Sequence, residues 1–287
     1  MKTFELLVLL IAGVAVAPAQ NSAPPTARQL IEQIKTHVGV PWREETVDTV
    51  KAGDADTPIT GIATTMMATY DVLRRAAAEH KNLVITHEPT FYSHLDKVDT
   101  LEREQDAVWA EKEKFIRDHH MVVWRFHDHW HLRQPDGILE GVLHALNWEK
   151  FYNGETRVAK IPETTLEQLA AEVKAKLGAS ALRVVGPKDM KVTTVALQPG
   201  ASGPVKHRLA LSQNAVEVLI IGEVPEWETI EYVSDAAAQG KRKALILVGH
   251  IPSEQPGMEN CATWLKTFIT NVPVGFVPAN QLFWMPR

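Results

Sequence analysis

Leu83-Val84-Ile85-Thr86-His87-Glu88-Pro89 is an apolar run of the kind buried on both faces of a parallel sheet, broken at once by a metal-capable pair and a proline. A second stretch, Leu245-Ile246-Leu247-Val248-Gly249-His250-Ile251-Pro252, has the same form, ending again in His-x-Pro. Each follows a helical pattern rich in alanine, at 76–78 and 236–238. The pair reads as a weak internal repeat, and the chain therefore as two related α/β lobes.

Along the chain, strands alternate with helices. Apolar spacing predicts helices over 27–37, 67–80, 101–119, 138–147, 226–239 and 258–270, and strands over 59–65, 82–86, 121–126, 192–197, 216–221 and 244–248. A further helix begins at Thr164, with Glu167 completing a capping box and Gly178 as the stop. This pattern predicts mixed, largely parallel sheets in an N-terminal lobe over 20–149 and a C-terminal lobe over 191–287, joined by a connector at 150–190, with a metal site between the lobes.

Lys2, the apolar run Leu6 to Val16 and Ala17-Pro18-Ala19 read as a secretory signal over 1–19, since eleven residues fall short of the roughly 20 that span a bilayer. Export to the periplasm or the extracellular space is the expectation, with no membrane attachment after cleavage. The formal net charge of −5 (30 Lys+Arg, 35 Asp+Glu) gives no electrostatic reason to expect nucleic acid or an anionic membrane as partner. Histidine is the compositional anomaly. There are 12, and His127, His129 and His131 share a single five-residue window. Cys261 is the lone cysteine, which excludes a disulfide framework and a thiolate zinc site. Metal ligands here must be imidazole and carboxylate.

In parallel sheets, ligands collect beyond the carboxyl ends of the strands. Four expected strands end in such residues: His87-Glu88; His127-Asp128-His129-Trp130-His131; Glu223; and His250 with Glu254 four residues on. In an extended segment, alternate residues point to one side, which would align the three histidines of the run, with Trp130 among them as a candidate pocket wall. Five or six ligands of this kind suit two divalent ions drawn from Zn, Mn, Fe, Co or Ni.

These motifs resemble the Nif-three-like dinuclear metal-centre proteins, some of which carry the label GTP cyclohydrolase I type 2. The family's Thr-His-His-Pro is similar to Thr86-His87-Glu88-Pro89, its His-Thr-x-x-Asp to 127–131, and its Gly-His-x-x-x-Glu to 249–254; Ile221-Gly222-Glu223 matches its Thr-Gly-Asp/Glu turn. The resemblance covers most of 27–287 and implies metal ligands at His87, Glu88, His131, His250 and Glu254. Glu88 stands where the family has a second His and His131 where it has Asp, so the set keeps three imidazoles and two carboxylates. Asp128 or His129 remains open as a replacement for His131.

Such a centre implies a hydrolase of a small molecule, nucleotide-like or a cyclic amide, with Glu223 or Asp128 as general base or as the partner that holds a ligand imidazole. The competing reading is a non-enzymatic metal-binding or scaffold protein. The resemblance also implies a homo-oligomer, up to a hexameric ring. A metallo-β-lactamase or amidohydrolase reading of the His run is weaker, because the first expects an Asp-His pair closing the motif and the second expects His-x-His on a first barrel strand.

Overall fold

The computed structural model describes residues 23–284 and residue 286. The expected signal segment, 1–19, lies outside the described residues.

The first sheet comprises β1 (Val50–Ala52), β2 (Ile62–Thr65), β3 (Leu83–Thr86), β4 (Val122–Arg125) and β11 (Val274–Phe276), in the order β1-β4-β3-β2-β11. All its pairings are parallel except that of the edge strand β1. The three central strands, β2, β3 and β4, are buried on both faces, as their uninterrupted apolar runs require. Ile62, Leu83, Ile85, Val122 and Trp124 meet α1 (Ala27–His37) and α10 (His250–Leu265) on one side. On the other, Ala63, Val84 and Val123 meet α2 (Tyr70–Ala78) and α4 (Ala107–Asp118).

The second sheet comprises β5 (Tyr152–Asn153), β6 (Val158–Thr165), β7 (Arg183–Val185), β8 (Lys191–Gln198), β9 (Val218–Ile221) and β10 (Ala244–Leu247), in the order β5-β6-β8-β9-β10-β7. Only β8, β9 and β10 run parallel to one another. One face packs on α6 (Gly137–Leu146) and α7 (Leu166–Lys176), and the other on α8 (Pro204–Ser212) and α9 (Glu231–Ala238). The architecture is thus mixed α/β with two mixed sheets.

The division into lobes differs from the sequence expectation in two ways. Residues 150–190 are not a connector, because β5, β6, β7 and α7 all belong to the second sheet and its cover. Strand β6 carries Lys160, Pro162 and Glu163 on its exposed positions, and that polarity hides it from a search for apolar runs. The tail of the chain also crosses back. Helix α10 leaves the end of β10 and packs on α6 and the first sheet, after which β11 pairs with β2. Two glycines allow the α6–α10 approach: a Cβ on Gly141 would lie 2.4 Å from the Pro256 carbonyl oxygen, and one on Gly257 2.4 Å from Ile138 Cα.

Smaller corrections follow from local chemistry. The span 101–119 is two helices, α3 (Asp99–Glu104) and α4, parted by left-handed Gln105 and restarted by the Asp106 cap. The capping box before α7 is Thr165 with Gln168, not Thr164 with Glu167. The segment 226–239 opens with a π-turn, Glu226–Ile230, before α9. The last long helix starts at His250, eight residues before the expected 258. Among the described residues no helix is long and apolar enough to cross a membrane.

Candidate metal centre

The centre is assembled where β3 and β4 of the first sheet end and where α10 begins at the end of β10. The parallel ladder runs on past the strands: His87 N–H donates to Thr65 O (3.1 Å), Glu88 N–H to Met66 O (3.0 Å) and Phe126 N–H to Thr86 O (2.9 Å). These bonds fix the His87-Glu88 backbone before any side chain acts.

The 127–131 segment is helical, not extended. Helix α5 (Asp128–Leu132) puts His127 and His131 four residues apart on one face and turns His129 away, so the three rings do not align. Asp48 nucleates this turn from eighty residues upstream. Its Oδ1 accepts from His127 N–H (2.7 Å) and Asp128 N–H (2.9 Å), while its Oδ2 accepts from His129 N–H (2.9 Å) and His129 Nδ1 (2.7 Å). A carboxylate on the free N–H groups of a helix start is the cap that so short a helix needs. His129 is fully committed: its Nε2 accepts from Arg43 N–H (2.9 Å), and its ring stacks on Trp42. Trp130 is likewise a core residue, buried with its indole N–H on Gly257 O (3.2 Å), and does not wall a pocket.

Four imidazoles share one arrangement. His87 Nδ1 donates to Phe126 O (3.3 Å), His127 Nδ1 to Asp128 Oδ1 (2.9 Å), His131 Nδ1 to Asp136 Oδ2 (3.0 Å) and His250 Nδ1 to Glu223 Oε1 (3.1 Å). A carbonyl or carboxylate can only accept, so each Nδ1 carries its proton; the Nε2 of His87, His127 and His131 is left for the interior of the site, whereas His250 Nε2 also donates, to Glu254 Oε2. Those nitrogens converge on two carboxylates. His250 Nε2 lies 3.0 Å from Glu254 Oε2 and 3.3 Å from Glu88 Oε1; His87 Nε2 is 3.7 Å from Glu254, His127 Nε2 3.9 Å from Glu88 and His131 Nε2 4.0 Å from Glu254.

The structure thus brings together His87, Glu88, His131, His250 and Glu254, with His127 as a sixth donor that the resemblance did not supply. Glu223 stands behind His250, more than half exposed. Asp128 stands behind His127, its other oxygen accepting from Thr46 Oγ1 (2.8 Å) and Val47 N–H (3.1 Å). Sequence reasoning missed Asp48, Asp136 and Arg125. Asp136 is readable as the cap of α6 but not as the partner of His131. Arg125 is completely buried at the end of β4, where it donates to the carbonyls of His87 (3.0 Å) and His94 (2.6 Å) and meets Glu88 Oε2 at 3.3 Å.

Burial, with His127 and His131 close by, drives the His87 ring well below the usual histidine range, so it is neutral. His250 goes the other way. Burial opposes its charge, but hydrogen bonds to Glu223, Glu254 and Glu88 outweigh it and push the ring up to about 12. Glu88 is the counterpart: burial would raise it, yet His250, His127 and Arg125 hold it at about 2.

The donors present fit a metal ion. His87 Nε2 is fully buried with no hydrogen-bond partner, a vacancy that costs free energy unless a Lewis acid uses the lone pair. One donor atom each from His87, His127 and His131 lie within 4.8 Å of one another, as do those of His87, Glu88 and Glu254. This cluster can hold a metal ion.

Comparison with known proteins gives the same picture of the fold. Staphylococcus aureus protein SA1388 superposes with a TM-score of 0.72 at 17% identity, over 92% of this chain and 100% of that one. A Bacillus cereus protein related to NIF3 gives 0.69 at 14%, over 93% and 99%, and reduced HcgD from Methanocaldococcus jannaschii 0.62 at 14%, over 88% and 98%. No curated protein matches the sequence significantly. The family model for Duf34/NIF3 (NGG1p interacting factor 3) matches residues 27–281, and the chain belongs to that family.

Proposed function

We propose that this protein holds two divalent ions in the His/Glu centre and hydrolyses a small molecule, nucleotide-like or a cyclic amide. The observation that carries this reading is the arrangement of the four imidazoles, each anchored through Nδ1 and each offering Nε2 toward Glu88 and Glu254. Six donors with two formal negative charges suit a pair of ions from the Zn, Mn, Fe, Co, Ni group. When bound, such a pair would supply an acidified water as nucleophile and positive charge to stabilise the carbonyl or phosphoryl oxygen of the group attacked.

The chain's own residues divide the remaining work. Asp128, Asp136, Glu223 and the Phe126 carbonyl fix the orientation of the four rings through Nδ1. Glu223 is the member of this outer set with open access to solvent and is the candidate proton acceptor. Asp128 has both oxygens engaged and acts as the orienter of His127. The reading extends to export, on the signal-like N-terminus, and to a homo-oligomer acting on a small molecule rather than on nucleic acid.

The test is a panel of phosphoester, peptide and cyclic-amide substrates with added Mn, Zn or Fe. Metal-dependent turnover abolished by His87→Ala is expected. A purified protein that binds metal but turns over none of them in a metal-dependent way would leave a binding or scaffold protein instead.

A further inference from the structure

The donors are not evenly mixed. One donor atom each from His87, His127 and His131 lie within 4.8 Å of one another, whereas Glu88, delivered by the same loop as His87, and Glu254 of α10 lie against His250 Nε2, and His87 borders both groups, its Nε2 3.7 Å from Glu254. Resting on the metal-centre reading, we infer that His87, His127 and His131 form an all-imidazole seat selective for a nitrogen-preferring ion such as Zn, Co or Ni, and that this seat fills first.

Three features support it. His127 is a built donor, because Asp128 fixes its Nδ1 and Asp128 is itself fixed by Thr46 and Val47. Its ring stacks on His87 at 4.5 Å and meets His131 edge-on at 4.9 Å, so the three rings are already packed as a unit. Preorganised rings lose little freedom when they bind. The opposite side is weaker as a donor set: Arg125, with no exposed surface, engages Glu88 Oε2 and offsets one of the two carboxylate charges. A neutral three-nitrogen set favours Zn, Co and Ni over Mn and Mg, which prefer oxygen. His131 is the residue that makes the set uniform, since the resembling family has Asp there.

The test is titration of the metal-free full chain with Co(II), followed by its visible absorption, and competition between Zn and Mn read by metal analysis. His127→Ala removes a partly exposed ring and leaves the fold, checked by circular dichroism, intact. It is expected to weaken binding of the first ion by at least about tenfold and to change the Co(II) spectrum. Glu88→Gln is expected to leave the first ion in place and weaken only the second. His131→Asp is expected to lower the preference for Zn over Mn by about tenfold. The inference is overturned if His127→Ala leaves the first ion unchanged, or if Glu88→Gln is the variant that loses it. A wild-type chain that binds no ion would sink the metal-centre reading itself, a different outcome from two ions bound without regard to His127.

Discussion

The ends of β3 and β10 share a pattern, an apolar run closed by His-x-Pro, and build opposite halves of one site. After β3, Thr86-His87-Glu88-Pro89 stays irregular, so two neighbouring side chains are delivered from one loop. After β10, Gly249 adopts φ +96° and the chain turns straight into α10, so the carboxylate comes four residues after His250, one turn along. The strand therefore sets where a ligand starts, and the next backbone conformation sets which donors can join it. The loop half became rich in imidazole because a second helical turn, α5, was pinned beside it by Asp48. The helix half pairs His250 with Glu254 because one turn of α10 separates them, and Glu88 reaches His250 from the loop half.

Removing Asp48 should break the loop half most severely. Asp48→Ala leaves the N–H groups of 127–129 and the buried His129 ring without an acceptor, and a loss of about 3–5 kcal/mol is expected by denaturant unfolding. An unchanged midpoint would show that α5 forms without it.

Acid should loosen the helix half. The loop that backs Glu254, 200–203, is tied down by Ser202 Oγ on His207 Nε2 (3.0 Å), with His207 Nδ1 on Thr229 Oγ1 (2.8 Å). Burial, helped by Lys206, lowers the His207 ring to about 4, against 6.5 ordinarily. Between those values the unfolded chain takes up a proton that the folded chain refuses, so stability falls as pH drops from 6.5 toward 4 and no further below it. The loss is roughly 3 kcal/mol at most. Unfolding measured from pH 7 to pH 4 should show a shallower fall in His207→Gln.

Gly141→Val tests the seam between the halves. Its side chain would meet the Pro256 carbonyl, and about 1–3 kcal/mol should be lost, with metal binding on the α10 side weakened along with it. Gly200→Ala is the gentlest and most local change. A Cβ there would sit 2.1 Å from Glu254 Oε1, on a residue with φ +69°, at a cost of about 1–2 kcal/mol. Ion competition should show loss on the carboxylate side alone, with the three-histidine side untouched.

Much of this was legible in the sequence. The central strands were plain, since runs such as Leu83–Thr86 and Ala244–Leu247 leave no polar face and are bounded by turns and charge. The convergence of His87, Glu88, His131, His250 and Glu254 followed from strand ends together with the family resemblance. What was hidden depended on distant partners. Helix α5 has only five residues and no helical signal of its own; its cap comes from Asp48. The start of α10 was masked by Pro252 and Pro256, yet Pro252 lies in the first turn, where a missing N–H costs nothing. Strand β11 is three residues long and joins the first sheet across more than two hundred positions, which no local pattern records.

The most direct measurement is the metal content of the purified protein, compared between wild type and the double variant His250→Ala plus Glu254→Ala. The account predicts about two ions per wild-type chain and about one in the variant, held by the histidines of the loop half. Less than one ion per wild-type chain, or a variant that keeps the wild-type content, would contradict it.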